Sequence, residues 1–171
     1  PKLINILTMV GNIYRRKQDF STAKKYYIQS ISIDNKNTYA IFGLADSLRG
    51  EKKYKESLKY WLMMDELDPE NSKVITRIGD CYLKIDEYER ASTYFDKALT
   101  LGWNKYSVYG KAMLDRIDKK FEEALSKYFE VLNYENNDIR TIILISDTYI
   151  EMGNKEKALE FLKKFQNELP N

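Results

Sequence analysis

The chain has 171 residues, 43% of them hydrophobic and 13% aromatic, which is enough to bury a substantial core. Its 28 Lys and Arg residues nearly balance its 26 Asp and Glu residues, and the resulting net charge of +2 argues against a general nucleic-acid binder. Histidine is absent and cysteine occurs once, which excludes zinc fingers, histidine-based catalytic triads and intramolecular disulfides.

The first predicted elements are a pair of amphipathic helices in residues 4–37. Apolar and small residues recur at spacings of three, one and three, which places them on one face of the first helix: Leu7, Val10, Gly11 and Tyr14. A second helix begins near Phe20, and its buried stripe alternates small and large residues: Ala23, Tyr27 and Ser30. Asp34 and Asn35 then predict the end of the pair.

The same pair recurs in residues 38–71 and 72–102. The stripe of the first helix contains Ile41, Leu44, Ala45 and Leu48, and then Ile75, Ile78, Gly79 and Tyr82. The stripe of the second helix contains Ser57, Trp61 and Met64, and then Ala91, Phe95 and Ala98. Ala23, Ser57 and Ala91 are 34 residues apart, and a fixed period of this length indicates an array of structural repeats.

Residues 103–138 allow two registers for their first helix. Counting back from Ala124 at the spacing of the other pairs places Lys111 and Asp115 on the buried face, where charged side chains are costly. The alternative shortens the preceding connection, lengthens the hairpin loop and buries an apolar set: Tyr106, Tyr109, Gly110 and Met113. We expect the second register because its buried face is apolar.

The last pair occupies residues 139–171. Its two stripes contain Ile142, Ile145, Ser146 and Tyr149, and then Ala158, Leu162 and Phe165. Leu162, Phe165 and Leu169 have no predicted cover, although helical arrays usually end in a polar-faced helix. We therefore expect either that the chain is a fragment of a longer protein or that its exposed end binds a partner, with self-association as one form.

This pattern resembles the tetratricopeptide repeat over about residues 4 to 171. The third pair matches the motif best, at Ile75, Ile78, Gly79, Tyr82, Ala91, Phe95 and Ala98. The resemblance implies an all-α fold, a right-handed α-solenoid of antiparallel helix hairpins, with a single array across residues 1–171. It also implies a protein–protein interaction scaffold and not an enzyme.

The resemblance further implies a ligand groove lined by one face of the first helices. Carried over to this sequence, its front half contains Asn5, Thr8, Asn12, Arg15, Arg16, Tyr39, Phe42, Asp46, Arg49, Lys73, Thr76, Arg77, Asp80 and Lys84. Its rear half contains Ser107, Lys111, Arg140, Ile143, Asp147 and Ile150. The front half is basic and contains two aromatic residues. These features predict a protein or peptide partner that is acidic or carboxylate-bearing and has an aromatic or aliphatic anchor.

Some members of this family grip a C-terminal carboxylate with a clamp of Lys, Asn and Arg side chains. The resemblance places Asn12, Lys73 and Arg77 at three clamp positions, whereas Thr8 and Gly43 replace a Lys and an Asn. Because one charge and one amide are missing, we expect a different ligand. Two other functions stay open, namely an RNA-binding helical-repeat module and a recruiting segment of a larger enzyme or membrane-anchored protein.

The sequence predicts no catalytic residue, cofactor, metal site or small-molecule substrate. Cys81 lies beside Gly79 and Tyr82 without a neighbouring base, so we expect it in the core. Acidic residues near Asp65 and Asp115 lack the spacing and the glycine of a calcium loop. No glycine-rich phosphate loop or nucleophile elbow occurs.

No uninterrupted apolar stretch approaches the roughly 18 residues that span a bilayer, and the N-terminus lacks the pattern of a signal peptide. We therefore expect a soluble segment that does not insert into a membrane. The compartment is not predicted. The cytoplasm is the default, and a periplasmic or surface location would require signals outside this segment.

Overall fold

The computed structural model describes residues 2–168, which form ten α-helices and contain no strand. The helices are α1 Lys2–Arg16, α2 Phe20–Ile33, α3 Thr38–Gly50, α4 Tyr54–Leu67, α5 Ser72–Lys84, α6 Tyr88–Thr100, α7 Lys105–Ile117, α8 Phe121–Tyr134, α9 Ile139–Glu151 and α10 Lys155–Glu168. The predicted all-α fold of repeated helical hairpins is therefore confirmed.

The chain divides into two compact units. Unit 1 spans residues 1–102 and contains the hairpins α1–α2, α3–α4 and α5–α6, with α2 packed on α3 and α4 packed on α5. Unit 2 spans residues 103–171 and contains the hairpins α7–α8 and α9–α10, with α8 packed on α9. In both units, a first helix is covered by the second helix of the hairpin before it.

Two local signals set these helix boundaries. Each hairpin turns through three residues, and the middle one has a positive φ: Gln18, Lys52, Asp86, Lys119 and Gly153. The four later first helices each begin after a capping side chain that accepts a hydrogen bond from a backbone N–H in the first turn: Asn37, Asn71, Asn104 and Asp138. These caps were not recognised in the sequence.

The expected register of the fourth hairpin is wrong. The connection between α7 and α8 has three residues, as in the other hairpins, and fully buried Ala112 takes the place of Gly79 in α5. Tyr106, expected on the buried face, is 54% exposed. The other register is tolerated because Asp115 Oδ2 lies 2.6 Å from Lys127 Nζ across the hairpin, so the half-buried carboxylate is neutralised.

Large side chains of the second helices form the centre of the first four hairpins. Tyr27, Trp61, Phe95 and Tyr128 are fully buried, as their place in the repeat predicts. Leu162 holds the same place in α10 but is 41% exposed, and Phe165 is half-buried. Leu169 lies outside the described residues. Self-association through this end stays a prediction.

Candidate peptide-binding groove

A ladder of ion pairs crosses the three first helices of unit 1. Arg15 Nη1 of α1 lies 2.5 Å from Asp46 Oδ2 of α3. The other oxygen of Asp46 lies 3.1 Å from Arg49 Nη2, and Arg49 Nη1 lies 3.8 Å from Asp80 Oδ2 of α5. The structure therefore brings four of the predicted groove residues together on one surface.

The ladder is fixed from behind by Tyr27 of α2. The Tyr27 hydroxyl donates a hydrogen bond to Asn12 Oδ1 at 2.8 Å and accepts one from Arg15 Nε at 3.3 Å. Burial raises the pKa of Tyr27, so the hydroxyl keeps its proton at neutral pH. Arg15 is thus held both by the carboxylate of Asp46 and by the buried phenol of Tyr27.

Asp46 is the central acid of the ladder. Burial alone raises the pKa of its carboxyl, but the guanidinium groups of Arg49 and Arg15 outweigh burial and lower that pKa below its ordinary value. Asp46 is therefore ionised at neutral pH, and its two oxygens fix the orientation of two arginines.

Three cations of the predicted groove are exposed and form no ion pair with any residue in the range 2–168: Arg16, Lys73 and Lys84. The fourteen predicted front-half residues include six cations but only two acids, Asp46 and Asp80, and both acids already face arginines. The front half of the predicted groove therefore has a positive charge that its own acids do not neutralise.

Aromatic side chains lie beside these cations. Phe42 is half-buried, and its ring meets Trp61 edge-on with 4.9 Å between ring centroids. Lys73 Nζ lies 4.8 Å from the Phe42 ring centroid, at the distance of a cation–π contact. Tyr39 is 79% exposed, whereas most large side chains of unit 1 are covered.

Thr8 and Thr76, also predicted in the groove, are buried. Thr8 Oγ1 donates to the Ile4 carbonyl and accepts a hydrogen bond from Asn37 Nδ2. Thr76 Oγ1 donates to the Ser72 carbonyl at 2.7 Å. Both hydroxyl groups therefore form hydrogen bonds within the packed helices. Of the remaining front-half residues, Asn5 is exposed and Arg77 is half-buried.

The position of Gly43 explains why the carboxylate clamp is incomplete. A Cβ atom at Gly43 would lie 2.2 Å from Tyr27 Cζ, so an asparagine has no room there unless the buried ring moves. Thr8, at the other altered clamp position, is buried and hydrogen-bonded. Both positions are used for packing.

In unit 2, the wrong register misplaced two candidates. Ser107 is fully buried and Lys111 is half-buried, whereas Tyr106 and Tyr109 occupy the places that Tyr39 and Phe42 hold in α3. The cap Asn104 lies 33 residues after Asn71, and this spacing in the sequence indicates the register that α7 has in the structure. The four candidates on α9 have exposed or partly exposed side chains: Arg140, Ile143, Asp147 and Ile150.

Asp138, the cap of α9, is the centre of a polar cluster in unit 2. It accepts hydrogen bonds from the Thr141 backbone at 2.9 Å and from the Tyr109 hydroxyl at 2.6 Å, and Lys105 Nζ lies 3.4 Å away. Burial by itself raises the pKa of Asp138, but the hydrogen bonds from Thr141 and Tyr109 outweigh it and lower the pKa to about 2.

Asp138 should therefore stabilise the fold in a pH-dependent way. Because its folded pKa is depressed, the stabilisation is present above the unfolded value and is lost as pH falls through about 2. Asp138→Asn keeps a capping oxygen but removes the charge. We expect its stability deficit in urea unfolding to shrink by about 2 kcal/mol between roughly pH 6 and pH 2. A deficit that does not change with pH would contradict this account.

Cys81 is fully buried, as predicted, with its Sγ 3.8 Å from Ser57 Oγ. Burial raises the pKa of its thiol to about 11, so the thiolate is scarce at neutral pH. The described part of the chain contains no cluster of three potential metal ligands among Cys, Asp and Glu. None of the helices in residues 2–168 has both the length and the apolar character needed to cross a membrane.

Comparison with known proteins identifies the repeat. The family model of the tetratricopeptide repeat matches residues 4–37, 72–101 and 139–167, which together are more than half of the chain. The chain belongs to the tetratricopeptide repeat family. The two hairpins that the model does not match, in residues 38–71 and 103–138, have the same helix–turn–helix form. Arrays of this family are generally non-catalytic scaffolds for protein–protein interaction.

The curated relatives are longer than this chain. TPR repeat-containing protein MJ1428 from Methanocaldococcus jannaschii is 26% identical over 160 residues, 84% of this chain and 27% of that protein. This chain spans between 10% and 39% of the length of the curated relatives that it matches.

Two solved structures show the same fold. A tetratricopeptide repeat protein from Parabacteroides merdae is 21% identical with a TM-score of 0.87, over 98% of this chain and 66% of that one. The YrrB protein is also 21% identical, with a TM-score of 0.67 over 92% of this chain and 82% of that one.

Proposed function

We propose that this chain is a protein-interaction scaffold whose unit 1 groove binds an extended acidic segment of a partner protein. The observation that carries the proposal is the unneutralised charge of the groove. Asp46 and Asp80 already face Arg15 and Arg49, which leaves Lys73 and Lys84 without an acid partner in residues 2–168. Ligand carboxylates would supply the missing charge.

The ion-pair ladder favours binding because it holds two guanidinium groups in place before a ligand arrives. Ordering a long cationic side chain opposes association, and groups that are already ordered avoid this loss. Arg15 and Arg49 are both partly exposed beside Asp46, so each can still meet a ligand oxygen. Asp46 thus orients the binding residues without neutralising the whole surface.

The dimensions of α5 favour a short extended ligand. Lys73 and Lys84 are eleven residues apart in one helix, which corresponds to about 16 Å along its axis. An extended peptide covers this distance in about five residues. We therefore expect two acidic side chains about five residues apart in the ligand.

Tyr39 provides a contact for an aromatic or aliphatic anchor. It is largely exposed, and it lies on α3 one helical turn before Phe42, whose ring is in contact with Lys73. Burying such a ring against a ligand side chain stabilises peptide complexes. YrrB, one of the similar structures, is described as having an unusual peptide-binding site, which is consistent with a peptide ligand here.

A random-peptide display selection against the purified chain tests this proposal. We expect an acidic consensus with an aromatic or aliphatic residue, and selected peptides should bind in fluorescence anisotropy. Lys73→Ala/Lys84→Ala should weaken them about tenfold, because two charge-assisted contacts are lost. The control Lys55→Ala/Lys59→Ala removes two exposed cations of α4 and should bind like the wild type.

Equal weakening by both double variants would show that net charge alone attracts the peptide. A selection without acidic enrichment would contradict the groove hypothesis. Tight binding of single-stranded RNA that is lost in Lys73→Ala/Lys84→Ala would favour the nucleic-acid alternative, because stacking on exposed aromatic side chains and basic residues also suits RNA.

A further inference from the structure

A pocket of about 330 Å³ lies between α8 and α10, the second helices of the two hairpins of unit 2. This volume is at the lower end of the range that small-molecule sites have. The pocket is lined by residues of α8, of the turn after α8 and of α10. They comprise four apolar residues, three asparagines and one lysine, and none of them is acidic.

The aromatic rings of the pocket pack against one another. The Phe161 ring meets the Phe129 ring edge-on with 5.8 Å between ring centroids, and it meets the Phe165 ring with 5.0 Å. Phe161 also meets the Tyr149 ring of α9 at 6.3 Å. Leu132, which lines the same pocket, is buried. The apolar part of the pocket is therefore held in place by contacts among three helices.

The polar side chains of the pocket have donors that the described chain does not use. Lys164 is exposed and forms no ion pair with any residue in the range 2–166. The side-chain amides of Asn133, Asn136 and Asn137 form no hydrogen bond with these residues either. An ammonium group and amide N–H groups bind a carboxylate through charge-assisted hydrogen bonds. The pocket thus combines an apolar interior with unused donors for one anion.

The corresponding place in unit 1 shows what Lys164 lacks. Lys97 of α6 and Asp65 of α4 each lie 67 residues before their counterparts in unit 2, Lys164 and Leu132. Lys97 Nζ lies 2.9 Å from Asp65 Oδ1, so this cation is neutralised within the chain. In unit 2 a leucine replaces the acid. An anion for Lys164 would therefore come from a ligand.

This surface is not the one on which the array adds a further hairpin. Between α2 and α4, Ile28 holds the place of Phe129, and it is 54% exposed although α5 and α6 follow in the same unit. A following first helix packs on another face of the second helix, as the contact of Tyr27 with Gly43 of α3 shows. The counterpart of Tyr27 in α10 is Leu162, which does not line the pocket.

The apolar lining is short along both helices. About one turn before Phe129 and Lys164, the exposed residues are Ser126 and Glu160. At the other end, the pocket is closed by the polar turn that contains residues 136–137. Specific protein partners bury roughly 800 Å² on each side, and a continuous apolar surface along the helices would suit them. An apolar pocket with a polar rim suits a compact ligand better.

We propose that this pocket binds a small organic acid. Its aromatic or branched aliphatic body would lie among the phenylalanine rings, and its carboxylate would meet Lys164 and the asparagine amides. The proposal is independent of the peptide ligand of unit 1, because no residue of the pocket belongs to the predicted groove.

Titration of the nitrogen-15-labelled chain with 3-phenylpropionate, followed by NMR, tests the proposal. We expect a Kd of about 1 mM or tighter, which is usual for a ligand of this size. The shifted amide signals should belong to α8, α10 and the turn after α8. Two analogues separate the contributions, because 3-phenylpropionamide lacks the charge and propionate lacks the ring. The amide should bind at least about fivefold and propionate at least about tenfold more weakly.

Lys164→Met should weaken 3-phenylpropionate about fivefold and leave 3-phenylpropionamide unchanged, because it removes the charge but keeps an apolar side chain. The matched control is Lys163→Met, which removes the neighbouring exposed cation outside the pocket and should bind within about twofold of the wild type. Phe129→Ser should weaken both ligands about tenfold. Circular dichroism should show that these variants are folded. Lys164→Met alters an exposed residue and decides the test if Phe129→Ser does not fold.

Several outcomes would overturn the proposal. These are absence of binding at about 10 mM 3-phenylpropionate, equal affinity for the acid and its amide, and equal weakening by Lys164→Met and Lys163→Met. Signal changes spread over both units would likewise contradict a defined site. A blocked peptide with adjacent Phe and Asp residues that binds this pocket over about tenfold more tightly would assign it to a protein segment, from a partner or from this protein.

Discussion

Gly43→Ala is expected to destabilise the chain by about 3 kcal/mol, although alanine is the better helix former. The new Cβ atom would lie 2.2 Å from Tyr27 Cζ and 2.4 Å from Tyr27 Cε1. The ring has little room to move, because it is fully buried and also lies close to Gly11 of α1, where a Cβ atom would be only 2.7 Å from Tyr27 Cε1. Moving it would also break the hydrogen bond to Asn12.

The sign of the change makes this a sharp test. Without the contact, the substitution would stabilise α3 by up to about 1 kcal/mol. In a Tyr27→Leu background, which lacks the distal ring atoms, Gly43→Ala should therefore cost far less than in the wild type. Urea unfolding of the wild type, the two single variants and the double variant measures the coupling energy between Gly43→Ala and Tyr27→Leu. Equal effects in both backgrounds would rule out the ring as the cause.

Much of the fold was predictable because one residue pattern repeats with a nearly constant period. Ile41, Ile75 and Ile145 are all fully buried at their expected places. Helical spacing determines which residues share a face, and an apolar face must be covered. The burial of these residues could therefore be predicted without knowledge of their individual contacts.

The fourth hairpin shows where this reasoning fails. Lys111 and Asp115 were rejected from the buried face by residue type alone, but Lys127 from the facing helix neutralises Asp115. Whether a charge finds a partner depends on distances between helices, which the periodicity does not report. The constant place of the caps Asn71, Asn104 and Asp138 was the better guide to the register.

The candidate groove was predictable as a set of positions but not as a network. Helical spacing together with the family resemblance placed Arg15, Asp46 and Arg49 on one surface. Their pairing joins residues 31 positions apart in sequence and depends on side-chain conformation. The burial of Thr8 likewise depends on its contacts with Ser30 and Asn37 from later elements.

Trp61→Ala is expected to have the largest effect of any single truncation, about 4 kcal/mol. Trp61 is fully buried in α4, and it supports Phe42 of the proposed groove by an edge-on contact. Removing the indole leaves a cavity between α3 and α4, which the surrounding helices can fill only in part. The groove should be affected too, because Lys73 rests on the Phe42 ring that Trp61 positions.

Trp103 is the matched control, because it is the only other tryptophan of the chain and is 39% exposed. Its indole N–H donates to Glu130 Oε1 at 2.8 Å, so Trp103→Ala should cost about 1 kcal/mol. Trp61 Nε1 has no acceptor among the described residues, so Trp61→Phe loses volume but no hydrogen bond and should cost less than Trp61→Ala. Equal costs for Trp61→Ala and Trp103→Ala in urea unfolding would contradict the central place of Trp61 in unit 1.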